Sequence, residues 1–166
     1  MKIKEKLYFA YGSNMNENQM AFRCPDAQVV GTVRLEGYRL TFAGNGGGRG
    51  VATILPEKGS YVDGVLWRIS ARDEQYLDRY EGFPLLYGKE TVSVRTSDGK
   101  QIPVMAYTMN APYRNTPALP SWEYLNGIIT GCWQHQIDSW PVLEAIQILR
   151  ESRQKIPVRK KQDRER

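Results

Sequence analysis

Short strand-like segments fill the first two thirds of the chain, and they constrain the fold more than any other feature. Each is rich in aromatic or β-branched residues and is bounded by glycine, asparagine, aspartate or proline. We expect the Glu36-Gly37 turn to pair the second strand with the third, and Ser97-Asp98-Gly99 to join the last two as a hairpin. The predicted strands are 6–10, 29–34, 38–43, 51–55, 61–69, 87–96 and 101–109.

Helix signals are fewer and stand between or after the strands. Ser70 and Asp73 have the spacing of a capping box, which predicts a helix over 71–80 that ends at Gly82 and Pro84. Because strands and helices do not alternate, the pattern favours a mixed α+β domain. The other predicted helices run from Asn14 or Asn16 to about Arg23, from Ser121 to about 136, and onward from Ser139 with Pro141 in the first turn.

The net charge of +5 lies entirely at the C-terminal end. Residues 150–166 contain eight basic and three acidic side chains, whereas 1–149 contain fifteen of each. We therefore expect one domain over 1–149, followed by a basic, flexible tail over 150–166. Contact with nucleic acid is not expected except through this tail.

The sequence shows no sign of secretion or of membrane insertion. No apolar run approaches the ~20 residues that a membrane-spanning helix needs, and the basic start lacks a signal-peptide cleavage pattern. Cys24 and Cys132 are far apart in the chain and are expected to remain reduced thiols. These observations predict a cytoplasmic protein.

Three features that could indicate a site are weak on inspection. The glycine run 44–50 lacks the lysine and hydroxyl residue of a phosphate-binding loop and precedes a strand, so we expect a surface loop. Cys132 and His135 form at most half of a metal site, and no metal is predicted. Ser13, His135 and Asp138 could form a hydrolase triad, but the glycine after the serine is missing, so His135 is expected to be structural.

Two other features carry more chemistry. The first strand ends in the Gly12 turn, where successive backbone N–H groups, with Ser13 and Asn14, could hold a carboxylate or a carbonyl oxygen. Glu81 ends a predicted helix close to Tyr80, Phe83, Pro84 and Tyr87. Aromatic neighbours exclude water and raise the pKa of a carboxyl group, which suits it to proton transfer near neutral pH. Taken alone, an ordinary turn and a solvated glutamate would explain the same residues.

Several motifs taken together resemble the γ-glutamylcyclotransferase family. Their order and spacing follow that family from about residue 6 to 135. The motifs are FAYGSNM at 9–15, GVATI at 50–54, GVLW at 64–67, LD at 77–78 with EG at 81–82 and Tyr87 after it, and PSWEY at 120–124.

The resemblance implies a small twisted mixed sheet that closes into a barrel-like core with flanking helices. It implies that Glu81 is the general acid/base, that no metal or cofactor takes part, and that a γ-glutamyl amine or amino acid is cyclised to 5-oxoproline. A non-catalytic module that binds a γ-glutamyl ligand is the alternative. The substrate-binding residues implied are Tyr8, Phe9, Ala10, Tyr11, Gly12, Ser13, Asn14, Tyr87 and Tyr124. The leaving amine stays open, since 44–50 and 107–119 match no family pattern.

Overall fold

The computed structural model describes residues 5–44 and 49–154. Within these ranges, five strands and four helices follow one another in the order β1, α1, β2, β3, α2, β4, β5, α3, α4. A short 3-10 turn, Ser13–Met15, lies between β1 and α1, and another, Tyr113–Asn115, follows β5. The strands are β1 Glu5–Ala10, β2 Gln28–Ala43, β3 Val51–Ser70, β4 Tyr87–Arg95 and β5 Gln101–Met109; the helices are α1 Glu17–Arg23, α2 Ala71–Glu81, α3 Trp122–Gln134 and α4 Trp140–Gln154.

The five strands form a closed barrel in the order β1-β3-β2-β4-β5. All neighbouring pairs are antiparallel except β1 and β5, which meet in parallel where Tyr8 lies opposite Met105. The α+β class and the barrel-like core expected from the sequence are therefore confirmed. The parallel contact matters for the site, because it brings the end of β1 beside β5.

The predicted turn at Glu36-Gly37 is wrong. The chain does not reverse there: β2 continues as one strand and pairs with β3 along almost its whole length. Gly37 has a φ of +81° and lies at a bulge where Glu36 faces Tyr61 and Tyr38 faces Pro56. The bulge at Gly37 therefore bends β2 and β3. They run as two long strands where the sequence predicted four short ones.

The hairpin and the helix starts agree with the sequence. Gly99 N–H donates to the Thr96 carbonyl at 3.0 Å, which closes the turn between β4 and β5. The Ser70 hydroxyl accepts from Asp73 N–H, and the Asp73 carboxylate accepts from Ser70 N–H, so the capping box of α2 is complete. Gly82 ends this helix in the left-handed conformation, with φ +67°.

Asn16 joins the first turn of the chain to α3. Its side-chain oxygen caps α1 by accepting from the N–H groups of Asn18 and Gln19, and its nitrogen donates to the Gly127 carbonyl at 3.2 Å. A side chain at Gly131 would approach Asn16 N to 2.8 Å, so α3 lies directly against this turn. The packing fixes the segment that follows β1.

Two predictions concern parts of the chain outside the described residues. Positions 45–48 of the glycine run and positions 155–166 of the basic segment lie outside the described residues. Helix α4 itself continues to Gln154, and the division of the chain near residue 149 stays a prediction. In the described residues, the helices lack the combination of length and apolarity that crossing a membrane requires.

Candidate active site

A cavity of about 160 Å³ opens beside the end of β1. Six of its wall residues are tyrosines, and Glu81 is the one acidic residue among those lining it. The lining residues are Tyr8, Tyr11, Gly12, Ser13, Asn14, Val51, Ala52, Tyr80, Glu81, Leu86, Tyr87, Tyr107 and Tyr124.

Glu81 is the last residue of α2, and its side chain is partly buried. Its Oε1 accepts a hydrogen bond of 3.2 Å from Asn14 Nδ2. Burial raises the pKa of Glu81 to about 7, although the positive charge of Arg23 acts in the opposite direction. A carboxyl group with this pKa exists in both protonation states near neutral pH, so it can accept and return a proton.

Asn14 connects Glu81 to the barrel. This residue is buried, and its side-chain nitrogen also donates to the Tyr8 hydroxyl at 3.0 Å. Its backbone carbonyl accepts from Trp67 Nε1 at 3.0 Å, and its side-chain oxygen accepts from Arg23 at 2.6 Å. Every polar group of the Asn14 side chain is therefore used, and the amide group is held in one position.

Tyr87 and Tyr124 both hydrogen-bond to the backbone of Ala52 on β3. The Tyr87 hydroxyl donates to the Ala52 carbonyl at 2.5 Å, and Ala52 N–H donates to the Tyr124 hydroxyl at 3.0 Å. Tyr124 lies in the first turn of α3, which Ser121 caps. The two tyrosines therefore fix the strand segment that forms one wall of the cavity.

Tyr11 and Tyr107 form the wall where β1 meets β5. The Tyr11 hydroxyl donates to the Tyr107 carbonyl at 2.5 Å, and the Tyr107 hydroxyl donates to Asp78 Oδ1 at 2.6 Å. Burial raises the pKa of each buried wall tyrosine above its ordinary value, so these phenols are neutral at physiological pH. They can act as hydrogen-bond partners of a ligand without adding charge.

The structure brings together seven of the nine substrate-binding residues named from the sequence, and it places Glu81 with them. Phe9 and Ala10 are buried in the core and are not among the residues that line the cavity. A side chain at Gly64 would come within 2.5 Å of the Phe9 ring and 2.3 Å of the Ala10 carbonyl oxygen, so both pack against β3. Phe83 and Pro84, expected beside Glu81, are also absent from the lining.

The alternative sites are not assembled. Ser13 bonds to Tyr80 and Arg23, whereas His135 lies edge-on to Trp67. The Asp138 carboxylate accepts from the N–H of Trp140. Ser13, His135 and Asp138 therefore do not form a hydrolase triad. Within residues 5–44 and 49–154, no three histidine, cysteine, aspartate or glutamate side chains come together as a metal site would require.

The family model for "Gamma-glutamyl cyclotransferase, AIG2-like" matches residues 8–133, which include the cavity from Tyr8 to Tyr124. The chain belongs to this family. The resemblance seen in the sequence motifs is thereby confirmed, and the match covers both Asn14 and Glu81.

Curated gamma-glutamylcyclotransferases of Bos taurus and Homo sapiens are both 34% identical to this family member over 125 residues. These residues make up 70% of this chain and 65% of each relative, so the chain matches less than two thirds of the length of those proteins. The similarity therefore covers part of each relative rather than its whole length.

Solved structures show the same fold. A gamma-glutamyl cyclotransferase structure matches with a TM-score of 0.74 and 30% identity, over 89% of this chain and 87% of that one. An uncharacterized protein of Homo sapiens matches with a TM-score of 0.73 and 32% identity, over 88% and 86% of the two chains. The cyclotransferase-type barrel predicted from the resemblance is therefore confirmed.

Sequence reasoning did not name Val51, Ala52, Leu86 and Tyr107 of this family member as cavity residues, nor Arg23, which contacts Asn14. Tyr107 lies on a strand that was predicted correctly, but its place beside β1 depends on the parallel contact between β1 and β5. Arg23 was identified only as the end of a helix, and no local signal shows that its guanidinium turns back to Asn14. Both follow from tertiary packing rather than from a motif.

Proposed function

We propose that the chain is a γ-glutamylcyclotransferase-type enzyme that cyclises a γ-glutamyl amine or γ-glutamyl amino acid to 5-oxoproline. In this proposal Glu81 is the general acid/base. One observation carries the assignment: the carboxyl group of Glu81 has a pKa of about 7 and borders a tyrosine-lined cavity, where it accepts from Asn14. The family membership supports the same chemistry.

The substrate supplies its own nucleophile. The α-ammonium group, with an ordinary pKa near ~8, must lose a proton before its nitrogen can attack the γ-carbonyl carbon. The Glu81 carboxylate takes this proton, the five-membered ring closes, and the bond from the carbonyl carbon to the leaving nitrogen breaks. Two protons leave the α-nitrogen in total and two arrive on the leaving nitrogen, which departs as an ammonium ion. Glu81 carries them in turn and returns to its starting state.

The turn after β1 offers backbone N–H groups that can bind a negatively charged group of the substrate. Its first backbone hydrogen bond runs from Met15 N–H to the Gly12 carbonyl at 3.1 Å. The N–H groups of Ser13 and Asn14 precede this bond and have no acceptor within the turn. They are suited to bind either the α-carboxylate or the oxyanion that develops on the γ-carbonyl oxygen. The same wall would hold the glutamyl chain folded, which lowers the entropic barrier to ring closure.

The test is the release of 5-oxoproline from a panel of γ-glutamyl amines, dipeptides and ε-lysyl amides, followed by mass spectrometry. We expect Glu81→Gln to lower kcat by about 10²–10⁴-fold, the usual range for loss of a general acid/base. Glu144→Gln is the control, since Glu144 is exposed on α4. Activity of Glu81→Gln equal to that of the wild type would contradict the proposed role.

The same panel separates catalysis from simple binding. A binding module of this fold would be stabilised against thermal unfolding by a γ-glutamyl compound yet release no product from any member of the panel. The titrating carboxyl group favours the enzyme, because a binding site gains nothing from a group that is half protonated near neutral pH.

We also propose a cytoplasmic location with a small-molecule substrate as the partner. Cys24 and Cys132 are both free and buried, as suits a reducing compartment. Fractionation of cells that produce the protein, with thiol alkylation before lysis, tests this location. Nucleic-acid contact through 150–166 remains the less favoured prediction, and truncation of that segment with salt-dependent binding assays would test it.

A further inference from the structure

Arg23 reaches the site from the outside, although it does not line the cavity. Its Nη1 donates to Asn14 Oδ1 at 2.6 Å and to Ser13 Oγ at 3.3 Å. Its guanidinium carbon lies 3.6 Å from the centre of the Tyr80 ring. One side chain of α1 thus contacts the turn after β1 and the last turn of α2, the two elements that carry Asn14 and Glu81.

The arginine determines which way the Asn14 amide points. A guanidinium group donates hydrogen bonds and cannot accept them, so the atom of Asn14 that faces it must be the oxygen. The nitrogen then faces Tyr8 and Glu81, as the distances of 3.0 and 3.2 Å show. If the amide rotated by half a turn, its oxygen would face the carboxylate, which would favour the protonated form of Glu81 instead.

We propose that Arg23 is a positioning residue of the Glu81 site: its guanidinium holds the Asn14 amide with the nitrogen toward Glu81 and so stabilises the carboxylate form. This inference rests on the proposed function for its catalytic meaning, but the geometry it describes can be measured without turnover. It assigns a role to a residue outside the motifs that indicated the family.

The surroundings of Glu81 leave Arg23 as the dominant charge. Apart from Glu81, the residues that line the cavity carry no acidic or basic side chain: the polar ones are six tyrosines, Ser13 and Asn14. Asp78 and Lys89 pair with each other at 2.9 Å and are not among the lining residues. Arg23 is accordingly the charged group that lowers the pKa of Glu81 against the effect of burial. These polar lining residues are Tyr8 from β1, Tyr11, Ser13 and Asn14 after it, Tyr80 from α2, Tyr87 from β4, Tyr107 from β5 and Tyr124 from α3.

The test compares Arg23→Met, Arg23→Lys and a control, Arg79→Met. Methionine keeps an unbranched apolar chain beside Tyr80 but neither donates nor carries charge, whereas lysine keeps a positive charge and an ammonium group that can donate. Arg79 is an exposed arginine on α2 and also borders a surface groove with Arg23, so its loss removes a nearby positive charge without touching Asn14. Arg23→Gln removes the charge if Arg23→Met does not fold.

The measurement is carboxyl-carbon NMR of Glu81, assigned by comparison with Glu81→Gln, together with the side-chain amide signals of Asn14. We expect Glu81 to titrate at higher pH in Arg23→Met than in the wild type or Arg79→Met, and Arg23→Lys to restore most of the difference. The Asn14 amide protons should follow the Glu81 titration in the wild type and lose this response in Arg23→Met.

A Glu81 titration in Arg23→Met that coincides with the wild type would overturn the proposal, even if the variant melts at a lower temperature. Arg23→Lys titrating like Arg23→Met would also contradict it, because charge and a donor to Asn14 are what the inference requires. Absence of 5-oxoproline from the wild type would instead count against the proposed function alone, since the titration does not depend on catalysis.

Discussion

The hydroxyl of Tyr107 donates to Asp78 Oδ1 at 2.6 Å, which ties the wall of the cavity to the helix that carries Glu81. Asp78 lies one turn before Glu81 on α2, and Lys89 of β4 lies 2.9 Å from the same carboxylate oxygen. Two strands of the barrel therefore hold the last turn of this helix. The direction of Glu81 into the cavity depends on these contacts as well as on its own hydrogen bond to Asn14.

The first prediction concerns this connection. Tyr107→Phe keeps the ring but removes the donor to Asp78, so we expect the free energy of unfolding to fall by about 1.5–3 kcal/mol, as for a hydrogen bond to a charged group. Urea denaturation measures the change. Tyr38→Phe is the matched control, because in the described residues the Tyr38 hydroxyl makes no hydrogen bond to the protein. Equal losses in both variants would contradict the assigned bond.

The second prediction concerns the pH dependence of stability. The pKa of Glu81 is raised from an ordinary value of 4.5 to about 7 in the folded state, so the folded state binds the proton more tightly than the unfolded state. Glu81 therefore destabilises the fold progressively as the pH rises from 4.5 to 7, and the penalty is constant above that range. Each unit of pKa difference corresponds to about 1.4 kcal/mol, so the full effect is about 3 kcal/mol.

Glu81→Gln removes this titration while keeping an acceptor for Asn14. The stability of the variant relative to the wild type should rise between pH 4.5 and 7 and then remain level. Urea unfolding of both proteins at several pH values tests this. A difference that does not change with pH would show that the carboxyl group titrates normally, and the role of Glu81 as a base near neutral pH would lose its support.

The third prediction concerns the space at Gly12. A methyl group there would lie 3.1 Å from Ala52 Cβ and 3.5 Å from the Tyr124 hydroxyl, inside the cavity. We expect Gly12→Ala to reduce kcat/KM by about 10–100-fold, since small displacements of a bound substrate have effects of this size. Gly31→Ala, where no atom lies within 4 Å of the added carbon, should retain wild-type kcat/KM. The panel assay measures both.

The fourth prediction concerns the Tyr124 hydroxyl. Tyr124→Phe leaves Ala52 N–H without its acceptor in a buried wall, which costs about 1–3 kcal/mol of stability. The loss should be accompanied by lower activity, because Ala52 lines the cavity. Thermal unfolding and product release are measured together. Unchanged stability would mean that water replaces the hydroxyl, and the wall would then be open to solvent.

Local chemistry explains why some parts of the fold could be predicted from the sequence. The Ser70–Asp73 capping box, the Ser97-Asp98-Gly99 hairpin and the Asn16 cap each involve residues at most five positions apart, so their geometry is present in the sequence itself. The turn predicted at Gly37 was wrong because local sequence could not decide it. A glycine with positive φ occurs both in tight turns and in bulges, and only the pairing partner distinguishes them.

The residues of the candidate site also fall into two groups, those that could be predicted from the sequence and those that could not. Glu81 was identified because aromatic residues surround it in sequence. Two of these, Tyr80 and Tyr87, line the cavity, whereas Phe83 is exposed and the remaining wall tyrosines come from other segments. Tyr87 and Tyr124 were found through the family resemblance. Arg23 and Tyr107 could not be found, because their contacts join segments whose adjacency is set by barrel closure and helix packing.

Asn14 and Glu81 are 67 residues apart in the chain, and they meet only when β1 has joined β3 on one side and β5 on the other. A contact of such long sequence separation forms late in folding, because the intervening loop must be closed first. An intermediate that contains α2 without the closed barrel would expose Glu81 as an ordinary surface carboxylate. The shifted pKa of Glu81 is therefore a property of the completed fold, and the return of this titration after dilution from denaturant would report the final folding step.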